Sequence, residues 1–572
     1  MLNMLIRLAA LMGSYFGWWE YFRRRWKVDV FFAPAFTLAV HFTLLFLPGL
    51  FNFLEEMSLL LYFGGMVLAL DALRREKLSL FRPYITLGYG VAIVLFAMAA
   101  LGVRGMVFAW FDSFTHWATV VKNMLLFDRF PTFAQTAVGF PSYPLGSSTL
   151  VYYFCNVTSD EESVQMLAQN FVCISMLLPV FAYVEKQGLF CSLLTILAAN
   201  FLLCYNTPFT ELLVDSLLPL CFVATIAFIR HESMERQVGG KYSVFFAFPM
   251  LFLLLNIKNA ALFFLAVALV LLFVWQKQAN RPLKDVLWAV LALAIGYFLW
   301  DRHCDYVYLN SDMTQHAISG AYLRGRLAEK SPEVIATVAW GTFRYAVTRG
   351  DLLWLLGCAA ALGVLTWVGA PQLRKSYTKL FALLVVLHLL YTASLAGMYV
   401  FSMSKEGALG LECIERYMRI MDIAVYYVLL IYSVTLLHQL SSRSMTALAM
   451  VVLTVGGLWT WLSYGSPNLL TPTTNLDSRQ QADWIIGEYG IAPGHRYLLL
   501  CEDGDINYQQ YVYRYCLNSP DVVSLVVTEA AQLDAQKEYQ YIIIEDTENP
   551  VIQAWIQEHY PDRVGQQVIQ DF

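Results

Sequence analysis

The stretch "YITLGYGVAIVLFAMAALGV" (residues 84–103) runs for twenty residues without a charge. A bilayer core of about 30 Å needs around 20 apolar residues in a helix, so this run alone is long enough to span it. It leads into "AWFDSFTHWATVVKNM" (109–124), where Asp112, His116 and Lys122 stand among Trp110, Phe111, Phe114 and Trp117. A spanning run that opens into an aromatic, charged segment frames two questions: what fold surrounds it, and what its ionisable groups do at a membrane surface.

Apolar runs recur at 4–19, 29–51, 57–73, 164–184, 188–204, 214–230, 243–257, 260–275, 286–300, 351–369, 380–401, 417–438 and 445–463. The 572 residues are 58% hydrophobic and 14% charged, with a mean hydropathy of +0.54; a soluble domain carries roughly 25% charge. The pattern predicts an all-α polytopic membrane protein of about 13 or 14 transmembrane helices. The start "MLNMLIRLAALMGSYFGWW" has a weak basic region and no small-residue cleavage site, so it reads as a helix and not as a cleaved signal.

The loops set an orientation. Basic residues gather in "RRRWK" (23–27), in Arg74 to Arg82, at Lys186, from Arg230 to Lys241, in "QKQANRPLK" (276–284), and at Arg374, Lys375, Lys379 and Arg443. With these runs all of them fall on one side, which the positive-inside rule makes cytoplasmic. The outer face then holds 104–163, 205–213, 301–350, 402–416 and everything from about 465. The chain divides into a membrane domain, 1–464, with a large outer loop at 104–163, and a soluble extracytoplasmic domain, 465–572. A Pro/Asn/Thr linker opens the latter. Strand-length runs follow at 497–501, 522–527 and 541–545, between helical stretches at 477–489, 507–517 and 549–559, as in a small α/β domain. It has neither GxGxxG nor a Walker motif, and nothing points to nucleic acid. Among ten cysteines there is no CxxC; Cys501 and Cys516 are either a pair or two buried thiols.

Four outer groups carry candidate chemistry. Asp112 follows its span directly, and His116 at i+4 is set to share its helix face. In "YNTPFTELLVDSLL" (205–218), Glu211 and Asp215 are again i, i+4, and an ionisable residue in a span costs roughly 2.5–3.5 kcal/mol, which argues for a function. Lys258 interrupts "LLLNIKNAALFF" (253–264), either snorkelling at a hairpin tip or meeting a lipid phosphate. Arg416 and Arg419, at i, i+3 in "KEGALGLECIERYMRIMD" (405–422), have the guanidinium geometry that suits phosphate, or pair with Glu412 or Glu415. The segment "FPSYPLGSSTLVYYF" (140–154) reads as amphipathic and interfacial. Carboxylates and cations on one face are what transfer from a lipid-linked phosphate requires: cations for the leaving group, a carboxylate to deprotonate an acceptor, aromatics to stack on sugars.

In layout over roughly 84–440, the chain resembles the GT-C membrane glycosyltransferases, among them the protein O-mannosyltransferases and the lipid A aminoarabinose transferases. The features that carry this are Asp112 after an early span, the outer loop with "YP.G", the lone Lys258 and the "ERY" at 415–417. The resemblance implies inverting transfer of a sugar from a polyprenyl-phosphate donor to a hydroxyl of a glycan, lipid or protein acceptor at the outer face of a cell membrane, with Asp112 as base; Asp215 and Glu211, from their own place at the start of a span, are further candidate catalytic carboxylates. Lys258, Arg416 and Arg419 would hold the donor phosphate, and His116, Trp117, Tyr143 and Tyr417 would line the substrate site. Ser113 stands where members of the family often have a second acid, and three runs precede the loop where one is typical. Some relatives hold a divalent metal; here Asp112, His116 and Asp215 would supply it. The rival readings are a polysaccharide polymerase or ligase, which would favour outer arginines, and a lipid-linked oligosaccharide flippase or transporter, which predicts symmetric halves.

Overall fold

A helix that is apolar on every side is either buried in protein or faces lipid, and the long helices here divide in that way. The computed structural model describes residues 2–132, 138–140, 142–183, 209–235, 243–307, 320–440, 443–460, 476–502, 506–534 and 539–570. Among these, seven helical segments are long and apolar enough to cross a membrane: Ala33–Leu50, Leu54–Tyr84, Glu162–Tyr183, Ala261–Gln278, Gly350–Gly369, Pro371–Phe401 and Ile414–Gln439. Every residue in the most apolar window of Glu162–Tyr183 is buried, against 22% in Pro371–Phe401. The first is therefore a central helix of the body, and the second faces the bilayer. The expected runs at 4–19 and 286–300, and residues 445–460 of the run at 445–463, lie in the helices Leu2–Arg25, Lys284–Val307 and Arg443–Thr460. The run at 188–204, with Lys186, Lys241 and residues 466–475 of the linker, lies outside the described residues, and the linker's last six residues, 476–481, begin a helix.

Helix Leu2–Arg25 packs along Leu54–Glu76. They approach so closely that a Cβ on Gly17 would stand 2.0 Å from the Gly65 carbonyl oxygen. Without a hydrophobic drive between helices in lipid, such backbone contact is how they associate. Thr86 starts the next helix, Leu87–Gly102, by accepting from the Tyr89 amide, as an N-cap does. The segment 140–154 departs from its interfacial reading. Residues 146–155 of the helix Gly146–Asn156 are all buried, because it packs against the helices Ala33–Leu50 and Glu162–Leu177.

The tail is a small α/β unit. Strands β1 (Tyr497–Leu500), β2 (Val522–Leu525), β3 (Tyr541–Ile544) and β4 (Val568–Gln570) form one sheet in the order β2-β1-β3-β4. β1 runs parallel to β2 and β3, and β4, which the sequence did not announce, is antiparallel to β3. Helices Leu476–Tyr489, Ile506–Leu517 and Pro550–His559 match the expected stretches. Cys501 and Cys516 are free thiols, so no disulfide links β1 to the following helix.

This unit sits directly on the segment 108–122. Arg479 donates to Glu162 at 2.9 Å, as does the Tyr515 hydroxyl, also at 2.9 Å. The Tyr508 hydroxyl donates to the Ala109 carbonyl at 2.7 Å, and Lys122 Nζ donates to the Tyr515 carbonyl at 2.6 Å. Phe114, expected at the membrane surface, is instead wedged between the rings of Tyr508 and Tyr515. Its aromatic face finds more buried area against two tyrosines than at an interface.

Helix Leu87–Gly102 separates the turn at 77–84 from this docked end. A membrane-impermeant maleimide added to intact cells is therefore expected to label Arg104→Cys and Glu558→Cys but not Ser79→Cys, in a background freed of its ten cysteines. The reverse pattern would invert the topology that the basic loops imply.

Candidate active site

The segment Phe209–Ser216 is irregular, not helical, so Glu211 and Asp215 do not share a helix face. Its carbonyls are satisfied from outside: Asn170 Nδ2 donates to Phe209 O at 2.8 Å and Gln169 Nε2 to Leu213 O at 3.4 Å. Buried backbone that is paired this way has no need of helical bonds. The result sends the two carboxylates in different directions. Glu211 accepts from Ser113 Oγ at 2.6 Å, while Asp215 faces two cations.

Asp215 is 0% exposed. Its Oδ1 accepts from Lys258 Nζ at 2.6 Å, and its Oδ2 stands 3.0 Å from Arg416 Nε. Arg416 Nη1 in turn donates to Asp112 Oδ2. The four side chains thus make one line, Lys258, Asp215, Arg416, Asp112. Arg416 pairs with neither Glu412 nor Glu415, the neighbours in sequence that offered a local partner. Lys258 does not snorkel: its side chain is only 8% exposed. It sits in the turn that joins helix Ser243–Leu255 to helix Ala261–Gln278. The Gly146 amide donates to Asn256 O in that turn at 2.7 Å. A Cβ on residue 146 would lie 2.5 Å from the same oxygen, so the "YP.G" segment needs its glycine to reach the lysine turn.

Arg416 stands in the first turn of helix Ile414–Gln439, after Leu411 (φ 48°) and Cys413 (φ 59°). Left-handed backbone at non-glycine residues costs of order 1–3 kcal/mol and clusters at functional sites. Tyr399 holds this turn by donating to Glu412 O at 2.7 Å. Tyr417 lies under both cations, with Lys258 Nζ 5.3 Å and Arg416 Cζ 5.6 Å from its ring centre, a cation–π arrangement.

These groups line a cavity of about 370 Å³. Asp112, Trp117, Tyr143, Lys258, Arg416 and Tyr417, all predicted from the sequence, form its wall, joined by Tyr322, Arg326, Glu412 and Cys413. The last four were missed. Tyr322 and Arg326 come from the long segment 301–350, where nothing in the spacing singles them out; Glu412 and Cys413 lie in the quoted stretch 405–422, and positive φ is invisible there.

Four predicted residues lie outside the cavity wall, the enclosed Asp215 among them. Arg419 pairs with Glu415 and reaches Asp351 at 3.9 Å, outside the cavity wall. Glu211 is buried behind Ser113, and burial, reinforced by the charges of Asp112 and Glu162, raises its carboxyl well above the ordinary glutamate range. His116 does not share a face with Asp112, because residues 113–117 form a π-helical turn. That wider turn shifts the register. His116 packs its ring against Trp117 and Tyr143, with no hydrogen-bond partner on either nitrogen among the described residues. No group of three His, Cys, Asp or Glu among the described residues is placed to hold a metal ion. The set Asp112, His116 and Asp215 therefore does not fit one.

No protein-family model matches this chain, and no curated protein matches it in sequence.

Two stability predictions follow from this geometry. Asp215→Ala leaves Lys258 buried without its carboxylate partner and takes one of two carboxylates from Arg416, which costs about 3–5 kcal/mol. Asp112→Asn, at a side chain 23% exposed, is expected to cost well under half of that. Thermal unfolding in detergent that ranks the two equally would contradict the assignment of Asp215 as the anchor. The second concerns pH. Burial, with the Lys258 charge adding to it, lowers His116 from 6.5 to about 3. A depressed pKa gives stability that is complete above 6.5 and lost as pH falls toward 3. At pH 5 the loss is about 2 kcal/mol, and His116→Phe should abolish it. An unchanged acid limb in that variant would refute a neutral, buried imidazole.

Proposed function

We propose that this chain is an integral-membrane glycosyltransferase of the GT-C kind, which moves a sugar from a polyprenyl-phosphate donor to an acceptor hydroxyl at the outer membrane face. The observation that carries this reading is the line of two carboxylates and two cations, of which Asp112, Lys258 and Arg416 line one aromatic-walled cavity while Asp215 is enclosed, at the end of the helical body that also receives the tail domain. The separation of the charges in sequence, from residue 112 to 416, makes a purely local ion-pair explanation insufficient.

The roles divide by burial. Asp215, wholly enclosed, positions Lys258 and Arg416. Those cations face the cavity and receive the donor phosphate. The resting cluster is balanced, two acids against two cations, so an incoming phosphodiester must displace one carboxylate. Asp112 is the more accessible of the two, and the phosphate takes its place on Arg416. Once released, Asp112 accepts the proton of the acceptor hydroxyl as that oxygen bonds to the anomeric carbon. The bond from that carbon to the phosphate oxygen breaks, and polyprenyl phosphate leaves on Lys258 and Arg416. Attack opposite the leaving group inverts the anomeric centre. Trp117, Tyr143 and Tyr417 offer ring faces for the sugar.

The test is turnover with a panel of radiolabelled polyprenyl-phosphate sugars. On the donor the wild type uses, Asp112→Asn should lower the rate about 10²- to 10⁴-fold. Lys258→Met and Arg416→Met each remove a charge-assisted contact of about 1.5–3 kcal/mol, seen as roughly tenfold to a hundredfold in donor affinity or rate. Near-normal turnover by Asp112→Asn would remove the base role, and absence of transfer from every donor would remove the glycosyltransferase reading.

A further inference from the structure

A second cavity lies at the opposite end of the helical body. It has a volume of about 590 Å³ and lies between the helices Leu2–Arg25, Leu54–Glu76, Leu87–Gly102 and Glu162–Leu177. Its wall is almost wholly apolar; Phe16, Ala69, Ala92, Phe96 and Ile174 are representative. It opens sideways where Leu70 and Ile93, 63% and 67% exposed, stand at its lip. Side chains so placed on membrane helices face acyl chains, so the opening leads into the bilayer.

The charge around the cavity says what enters. The cavity closes on Leu80, Phe81 and Tyr84 of the turn at 77–84, one helical turn from Arg23. In segments 20–27 and 71–82 stand eight Lys and Arg against three Asp and Glu, in a chain whose net charge is −5. Glu20 occupies Arg23 and Arg24, and Glu76 takes a second contact from Arg24 at 3.0 Å. Arg74 and Arg82, next in sequence to the lining residues Leu73 and Phe81, remain exposed. Basic clusters at the end of membrane helices attract anionic head groups.

We propose that this cavity is a site for an anionic phospholipid of the leaflet opposite the candidate active site, with an acyl chain in the cavity and the phosphate held by Arg82 and Arg74. The site is separate from the donor cavity and does not depend on the proposed reaction. It would fix the packing of Leu2–Arg25 and Leu87–Gly102 to membranes that supply acidic lipid.

Native mass spectrometry of the full chain in detergent, titrated with dioleoyl phosphatidylglycerol or dioleoyl phosphatidylcholine, tests this. The wild type should retain one phosphatidylglycerol in preference to phosphatidylcholine. Arg82→Gln should reduce that preference about fivefold, the effect of one basic residue near a charged surface. Ala92→Phe fills the cavity and should abolish retention. Arg82→Gln leaves the cavity intact and decides the matter if the filled variant does not fold. Equal retention of the two lipids by the wild type, or a wild-type preference in Arg82→Gln, would overturn the proposal. So would mole-for-mole displacement of phosphatidylglycerol by undecaprenyl phosphate, which would assign the cavity to a donor chain.

Discussion

Asp215 is the constraint on which the centre of this protein depends. A carboxylate with no solvent contact is tolerated only when its charge is matched, and here the match comes from Lys258 and Arg416. Those partners lie far apart in the chain, so the irregular segment at 209–216, the turn after Ser243–Leu255 and the start of Ile414–Gln439 must all meet at one point. Well-packed apolar residues are often as stable as a buried ion pair, or more so. The arrangement is therefore poorly explained as a device for stability, and the cavity beside it supplies the other explanation.

The second organising contact joins the tail to the membrane body. Glu162, at the head of the most buried helix, accepts from Arg479 and from the Tyr515 hydroxyl, and its Oε2 also accepts from the Phe108 amide at 2.6 Å. The tail thereby holds the backbone that leads into Asp112. Phe114 is clamped by tail tyrosines one residue past Ser113, and the π-helical turn lets His116 and Trp117 turn inward while Asp112 stays at the cavity mouth. The tail domain thus belongs to the architecture of the site, and folding of the loop at 108–122 is coupled to it.

Much of this was legible in sequence because it rests on local rules. Runs of about 20 apolar residues mark helices whatever surrounds them, and alternating strand and helix signals gave three of the four strands in the tail; β4, three residues long, carries too few residues to register. Asp112, Asp215, Lys258 and Arg416 were conspicuous because charge near apolar runs is costly. What sequence could not supply was pairing. Arg416 has Glu412 and Glu415 close by in the chain and uses neither, since helix start and left-handed turn aim it across the cavity. Spacing misled at Glu211 and His116 for a related reason: i, i+4 implies a shared face only in an α-helix, and one residue lies in irregular backbone while the other lies in a π turn. Arg326 and Tyr322 reach the cavity through tertiary packing alone.

The central claim is that the Asp215-anchored cations form a phosphate site at a membrane surface, and binding of undecaprenyl phosphate tests it without knowledge of the sugar. Calorimetric titration of the full chain in detergent should show saturable binding of undecaprenyl phosphate and none of undecaprenol. Arg416→Met should lose that binding, whereas Arg419→Met should retain it. Equal binding of phosphate and alcohol, or a phosphate affinity unaffected by loss of Arg416, would contradict the account.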